Sequence, residues 1–228
     1  MDFAINNLKQ AEFIRECKNR FICEVKFEGR VIECYVPSSC KLSNFFELDG
    51  KPVLIIPTSK HGTRTSFALF AVKYRNNYIL LNSSFANRII IENITSRRFS
   101  FLGSRKKVYQ EYFVSDYKSD IYIDDTNTII EVKSIMSTGT SAIFPSVYSG
   151  RAIEQLNALK TLILQGYNAH LVIVSLNPYI KNIFICKNSM LYGHLIECIA
   201  LGMTVIGFSC RLIKNYVLLD KSIKIDYK

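Results

Sequence analysis

Three ionisable residues, Asp120, Glu131 and Lys133, lie within the stretch SDIYIDDTNTIIEVKS at positions 119–134. Glu131 and Lys133 are two apart in a run rich in β-branched residues. That spacing predicts a strand that sends both side chains to one face. Asp120 falls on the preceding strand, joined through the turn Asp125-Thr126-Asn127, and a hairpin brings it beside them. Two carboxylates converging on one point repel unless a cation neutralises them or one takes up a proton. A hard divalent ion such as Mg2+ is held by such oxygens, with backbone carbonyls and waters completing its shell. A lysine next to that ion holds a water or a phosphate oxygen where negative charge develops. These are the parts of metal-assisted phosphodiester hydrolysis. The spacing D-x(10)-E-x-K also fits a charged edge strand with an ordinary salt bridge. The strongly apolar flanks argue for a site, because ionisable groups among them are costly unless they serve one.

The charge balance points to a polyanionic partner. Lys and Arg number 29 against 19 Asp and Glu, a formal net charge of +10. Such an excess releases condensed counterions from phosphates, although solubility alone is served by it too. The densest run is Arg97, Arg98, Arg105, Lys106 and Lys107, interleaved with Phe99 and Phe101. With no amphipathic helix beside it, that mixture suits a phosphate backbone better than a lipid surface. Neither Leu171–Leu176 nor the Ile196–Phe208 region reaches the roughly 20 apolar residues of a membrane span. MDFAINNLKQ has neither the basic start nor the apolar core of a signal peptide, so a cytoplasmic protein is expected. Seven cysteines, an odd number, are expected as reduced thiols. The pairs Cys17/Cys23 and Cys34/Cys40 are spaced more widely than zinc ribbons, and buried thiols explain them better.

The elements that must position the site follow from periodicity and turn signals. Residues 3–17 have apolar positions at near-helical spacing, predicting a short leading helix or an extended arm. From 21 to 82 the runs FICEVKF, VIECYV, PVLIIPT, SFALFAVKY and YILLNS read as strands separated by turns. Five strands with no helix of length between them fit a small closed barrel of the OB type, and equally an SH3-like one. Beyond residue 83 the pattern alternates. A helix is expected over Ser84–Ile94, capped by Ser83 or Ser84, then strands VYQEYFV, DIYID and TIIEVKSI. A long helix runs from about Ser149 to Gln165 and stops at Gly166. Strand NAHLVIVSL, helix Ser189–Leu201 and strand TVIGFSC complete the half. The expectation is an α+β chain of two domains: a five-stranded OB-like barrel over 1–83, and over 84–228 an α/β unit with a mixed central sheet.

Four separated motifs make the chain resemble the sugar fermentation stimulation protein (SfsA) family, which couples an OB-like domain to a nuclease-like domain of PD-(D/E)xK type. Ala86-Asn87-Arg88 resembles the family's A-N-R, and Asp120 falls at the Asp of its S-R-x-D-F. Ile130-Glu131-Val132-Lys133-Ser134 is similar to its I-E-V-K-S. Phe144-Pro145 with Arg151 and Leu156 resembles F-P-D-A-x-x-x-R-x-x-x-H-L. There are departures. The family's H-C-P-N-T-G turn is here Tyr35-Val36-Pro37-Ser38-Ser39-Cys40, its Asp after F-P is Ser146, and its His is Gln155. Gln155 donates a hydrogen bond to phosphate or water but carries no proton.

The resemblance implies a Mg2+- or Mn2+-dependent nuclease acting on DNA, with RNA also open. Asp120, Glu131 and the Val132 carbonyl would hold the ion, and Lys133 would orient or activate water. Glu92, on the helix after Ala86-Asn87-Arg88, stands where superfamily members often place a further carboxylate; a solvent-facing acid is the alternative. Arg88 and Arg151 are candidates to bind phosphate bidentately, or else pair with nearby acids. Glu111 is expected in a surface salt bridge, Asp124 and Asp125 in turn roles, and His61, His170 and His194 in ordinary ones. The rival reading is a non-catalytic DNA-binding regulatory protein. The sequence does not fix the oligomeric state, and a dimer is compatible with it.

Overall fold

The computed structural model describes residues 3–37, 41–58, 64–146 and 148–227. Two strands, β1 (Phe3–Ala4) and β2 (Lys9–Glu16), occupy the segment whose spacing leaves a leading helix or an extended arm open. In β2 only Phe13 is fully buried, and the strand is held by pairing with β3 (Ile22–Phe27) and β5 (Pro52–Pro57). Long-range pairing thus overrides a short local period. β4 (Arg30–Tyr35) and β6 (Phe67–Tyr74) complete the order β4-β3-β2-β5-β6. Parallel pairing of Cys34 with Phe67 and Tyr35 with Ala68 closes the ring. The barrel therefore has five strands, with β2 taking the place expected of β7 (Asn77–Leu80), which extends β6 as a hairpin. Phe13, Cys23, Val25, Cys34, Val53, Ile55 and Leu69 fill its interior. Cys23 and Cys34, opposite each other, are free buried thiols. Cys40, His61 and the Ser38-Ser39 part of the departing turn lie outside the described residues.

The second half opens with α1 (Phe85–Asn93). The hairpin strands are β8 (Val108–Val114), β9 (Tyr117–Ile123) and β10 (Thr128–Ile135). β11 (Ser141–Phe144), α2 (Gly150–Leu164), β12 (Asn168–Ser175) and β13 (Asn182–Ile185) follow, then α3 (Leu191–Ala200), β14 (Thr204–Ile213) and β15 (Tyr216–Asp226). The sheet order is β11-β13-β15-β14-β12-β10-β9-β8, with β1 pairing on β15. β10, β12 and β14 run parallel, while β8, β9 and β10 form an antiparallel meander, so the sheet is mixed. Ser149 caps α2 by accepting the Ala152 N–H at 3.3 Å. Gly166 and Gly202, at φ 94° and 107°, adopt the left-handed turn that ends α2 and α3.

Alternation along the strands divides the core. Ile130, Val132, Val172 and Val174 face α1 and the barrel residues Leu54, Phe70 and Leu80 in one cluster. Ile129, Leu171 and Ile173 face Leu156, Leu159 and Leu162 of α2 and Leu195 of α3 in another. The barrel and the sheet therefore share one apolar cluster across the chain's passage from β7 to α1. The Leu80 N–H also donates to the Leu176 carbonyl at 3.0 Å.

Candidate active site

β10 sends Glu131 and Lys133 to the α2 face, as two-residue spacing requires. Glu131 is 2% exposed. A bare carboxylate at that depth would be costly, and three donors converge on it. The Tyr117 hydroxyl donates to Oε2. The Lys133 ammonium donates to Oε1 at 2.5 Å, and Gln155 Nε2 to the same oxygen at 2.6 Å. Lys133 also donates to Gln155 Oε1 at 2.7 Å, closing a ring of three side chains. Burial pushes the Glu131 carboxyl up from the ordinary glutamate value; Lys133 opposes this and the Asp120 charge adds to it. Burial and the Glu131 charge push the Tyr117 phenol up as well, so it stays a donor.

Asp120 occupies the point where β9 and β10 part. Their register runs Thr128–Ile123, Ile129–Tyr122, Ile130–Ile121, and at the next step the Asp120 side chain replaces a backbone carbonyl. Its Oδ2 accepts the Val132 N–H at 2.8 Å, and its Oδ1 accepts Asn87 Nδ2 of α1 at 2.9 Å. A strand residue points its N–H and C=O to the same side, so the Val132 carbonyl faces this same gap. The two carboxylates, Val132 and Lys133 line one cleft of about 290 Å³ with Phe144, Pro145, Ser146, Ser149, Arg151, Gln155 and Leu191. The N-terminus of α2 and the Arg151 guanidinium thus border the cleft, an arrangement suited to an anion.

The structure brings together Asp120, Glu131, Val132, Lys133, Gln155 and Arg151, and Ser146 with them. Glu92 does not line the cleft. It is five residues past Asn87, about 140° around the helix, and is exposed. Asn87 is the α1 residue that reaches the site. Arg88 lies over the Phe3 ring, 4.0 Å from its centroid. Lys106 and Lys107 of the basic run sit at the hairpin end of β9 and β10, where the Asp124 N–H donates to the Lys107 carbonyl. Arg97, Arg98, Lys106 and Lys107 are all exposed. Arg98 donates to the Asp220 carbonyl at 2.5 Å, and Arg105 to the Phe99 and Gly103 carbonyls at 2.7 Å each. Asp125 accepts the Lys106 and Lys107 N–H groups, and Glu111 pairs with Lys118. His170 contacts Thr204 and His194 contacts Asn157, and neither histidine lines the cleft. Among the described residues no group of three or more His, Cys, Asp or Glu could hold a metal by itself. The sequence alone assigns no role to Tyr117 or Asn87. The signal for Tyr117 is a tyrosine in an apolar strand, which needs a hydroxyl partner when buried.

A closed OB-like barrel packed on a mixed α/β sheet with a carboxylate–lysine cleft defines the architecture. Two family models divide the chain in the same way, the SfsA N-terminal OB domain over residues 16–81 and the sugar fermentation stimulation protein RE domain over 84–215. The chain belongs to the sugar fermentation stimulation protein family. The homolog from Desulfitobacterium hafniense (strain Y51) is 22% identical over 219 residues, 92% of each chain. That from Pelagibacter ubique (strain HTCC1062) is 19% identical over 213 residues, 90% of this chain and 91% of its own. The fold also matches Pyrococcus furiosus SfsA, solved in complex with Ca2+, with a TM-score of 0.81 over 100% of both chains at 18% identity. Among the described residues no helix is long and apolar enough to cross a membrane.

Proposed function

We propose that this chain is a divalent-metal-dependent nuclease that binds DNA and hydrolyses its phosphodiester bonds, with Mg2+ or Mn2+ as the working ion. The observation that carries the reading is the convergence of Asp120, Glu131 and Lys133 on one cleft bordered by Arg151 and the α2 N-terminus. The donor set fits a hard cation: two carboxylates, the Val132 carbonyl and Gln155 Oε1 are all oxygen donors. The Ca2+ complex of the Pyrococcus furiosus protein supports a divalent ion in a related fold. When bound, such an ion supplies Lewis-acid polarisation and charge neutralisation at a phosphoryl group. The remaining work belongs to the side chains. Asp120 is oriented by Asn87 and the Val132 N–H, so its free lone pairs point into the cleft. Tyr117 fixes the Glu131 rotamer from behind. Lys133, bridging Glu131 and Gln155, is placed to hold a water or phosphate oxygen as charge develops. Phe144 and Leu191 keep one wall apolar, strengthening those electrostatic contacts.

One observation favours the rival class, a non-catalytic DNA-binding regulator: both Glu131 oxygens already have protein donors. The two separate in a digestion of plasmid, single-stranded DNA and RNA with and without Mg2+ or Mn2+. Cleavage that requires the ion and disappears in Glu131→Gln and Lys133→Ala is expected. Binding without cleavage under every condition would assign the regulator.

A further inference from the structure

β8 is the outermost strand of the sheet, and residues 109–113 on it are all exposed. Tyr109 and Tyr112 are 41% and 43% exposed, yet their rings lie 5.0 Å apart. Strict alternation would put positions 109 and 112 on opposite faces. Glu111, at φ 48°, breaks the alternation between them. Both rings pack on buried Tyr122, with Tyr112 stacked at 5.2 Å and 9° between planes. Tyr122 is itself fixed by its hydroxyl, 3.0 Å from Asn127 Oδ1, and by Tyr167. The result is a packed aromatic floor whose two outer rings are partly exposed.

Its location ties it to the cleft. Tyr122 pairs with Ile129, which precedes Glu131 by two residues, about 7 Å along the strand on the same face. Tyr112 pairs with Ser119, the neighbour of Asp120. At the far end Tyr109 follows Lys106 and Lys107, both exposed. The rings therefore lie between Asp120 and the Lys106–Lys107 pair. We infer that Tyr109 and Tyr112 form a stacking platform for unpaired nucleobases, so that the ligand of the cleft is a single-stranded or frayed nucleic acid. This rests on the nucleic-acid reading of the cleft. Bases inside a duplex have no free faces to offer, whereas an unpaired base stacks on any exposed ring. The kink at Glu111 and its ion pair with Lys118 interrupt the outer edge of β8, which disfavours a second copy adding a strand there.

The test uses the full chain in chelator, so that nothing is cut, with fluorescent oligothymidine, the same strand carrying abasic sites, and a blunt duplex. Tyr109→Ala/Tyr112→Ala is expected to weaken oligothymidine binding by about tenfold or more, from the usual range for base–aromatic stacking. Abasic and duplex affinities stay unchanged, and Tyr109→Phe/Tyr112→Phe retains binding. Photocross-linking of a bromouracil-substituted strand to the wild type gives an adduct within the tryptic peptide 108–118, a readout independent of how the alanine variant folds. Equal loss on abasic strands, no loss on oligothymidine, or a change in the protein's own association state would overturn the platform. Ion-dependent cutting without abasic discrimination would sink the platform and leave the nuclease. Abasic discrimination without cutting in any ion would do the reverse.

Discussion

Lys133→Ala removes the cation from a buried carboxylate. Glu131, 2% exposed in the wild type, keeps the Tyr117 and Gln155 donors but loses the ammonium at 2.5 Å. Removing one partner of a buried ion pair costs about 3–5 kcal/mol. Lys133 is 27% exposed at its side chain, and two donors remain, so the lower end, about 3 kcal/mol, is expected. For a chain of this size that corresponds to a fall in Tm of about 6–12 °C. The pH dependence follows from the direction of the shift. Glu131 already holds its proton to a higher pH in the fold than in the unfolded chain, and Lys133 is the largest influence opposing this. Without it the folded value rises further. The deficit is then full above that raised value and disappears as pH falls through it toward the ordinary glutamate range. A divalent ion replaces the lost charge, so Mg2+ or Mn2+ raises the Tm of Lys133→Ala more than that of the wild type. Thermal scans from pH 4 to 8 with and without the ion measure both effects. A variant as stable as the wild type at pH 8, or one unmoved by either ion, would refute the reasoning.

Other outcomes follow from the same contacts. Lys106→Ala/Lys107→Ala is expected to weaken DNA binding for unrelated sequences and to flatten its salt dependence, whereas Arg105→Ala lowers Tm because it frees the Phe99 and Gly103 carbonyls. Anisotropy titrations at several salt concentrations and thermal scans separate the two. Burial lowers His170 from 6.5 to about 4, so its contribution is present above the unfolded value and is lost as pH falls from there toward 4. His170→Asn should flatten the stability profile across that window. Cutting the chain near residue 83 exposes Leu54, Phe70 and Leu80, roughly 5–9 kcal/mol of apolar burial at about 1.5–3 kcal/mol each. That is comparable to a whole domain's stability, so the halves are expected to aggregate apart and to fold together. Two cooperative, independently folded halves in circular dichroism would contradict it.

The chemistry was readable where it depends on short spacing. Glu131 and Lys133 share a face because strands repeat every two residues, and Asp120 joins them through a three-residue turn whose Asp and Asn residues are turn formers. Gln155 was reachable only through the resemblance, because α2 meets β10 by tertiary packing. Residues 3–17 leave a helix and an extended arm both open because Phe3, Ile5, Leu8 and Ala11 fall near a helical period, while β3 and β5, the partners of β2, are distant in sequence. β15 gives little strand signal although Tyr216–Asp226 partly alternates, because polar residues break its apolar run. The aromatic floor on β8 depends on a left-handed Glu111, which no composition signal announces.

Calorimetric titration of Mg2+ and Mn2+ into the wild type and Glu131→Gln, with and without DNA, tests the central claim most directly. The account predicts binding to the wild type that is lost in Glu131→Gln, because one of two ligand charges has gone. Absence of ion binding to the wild type, both alone and with DNA, would contradict it.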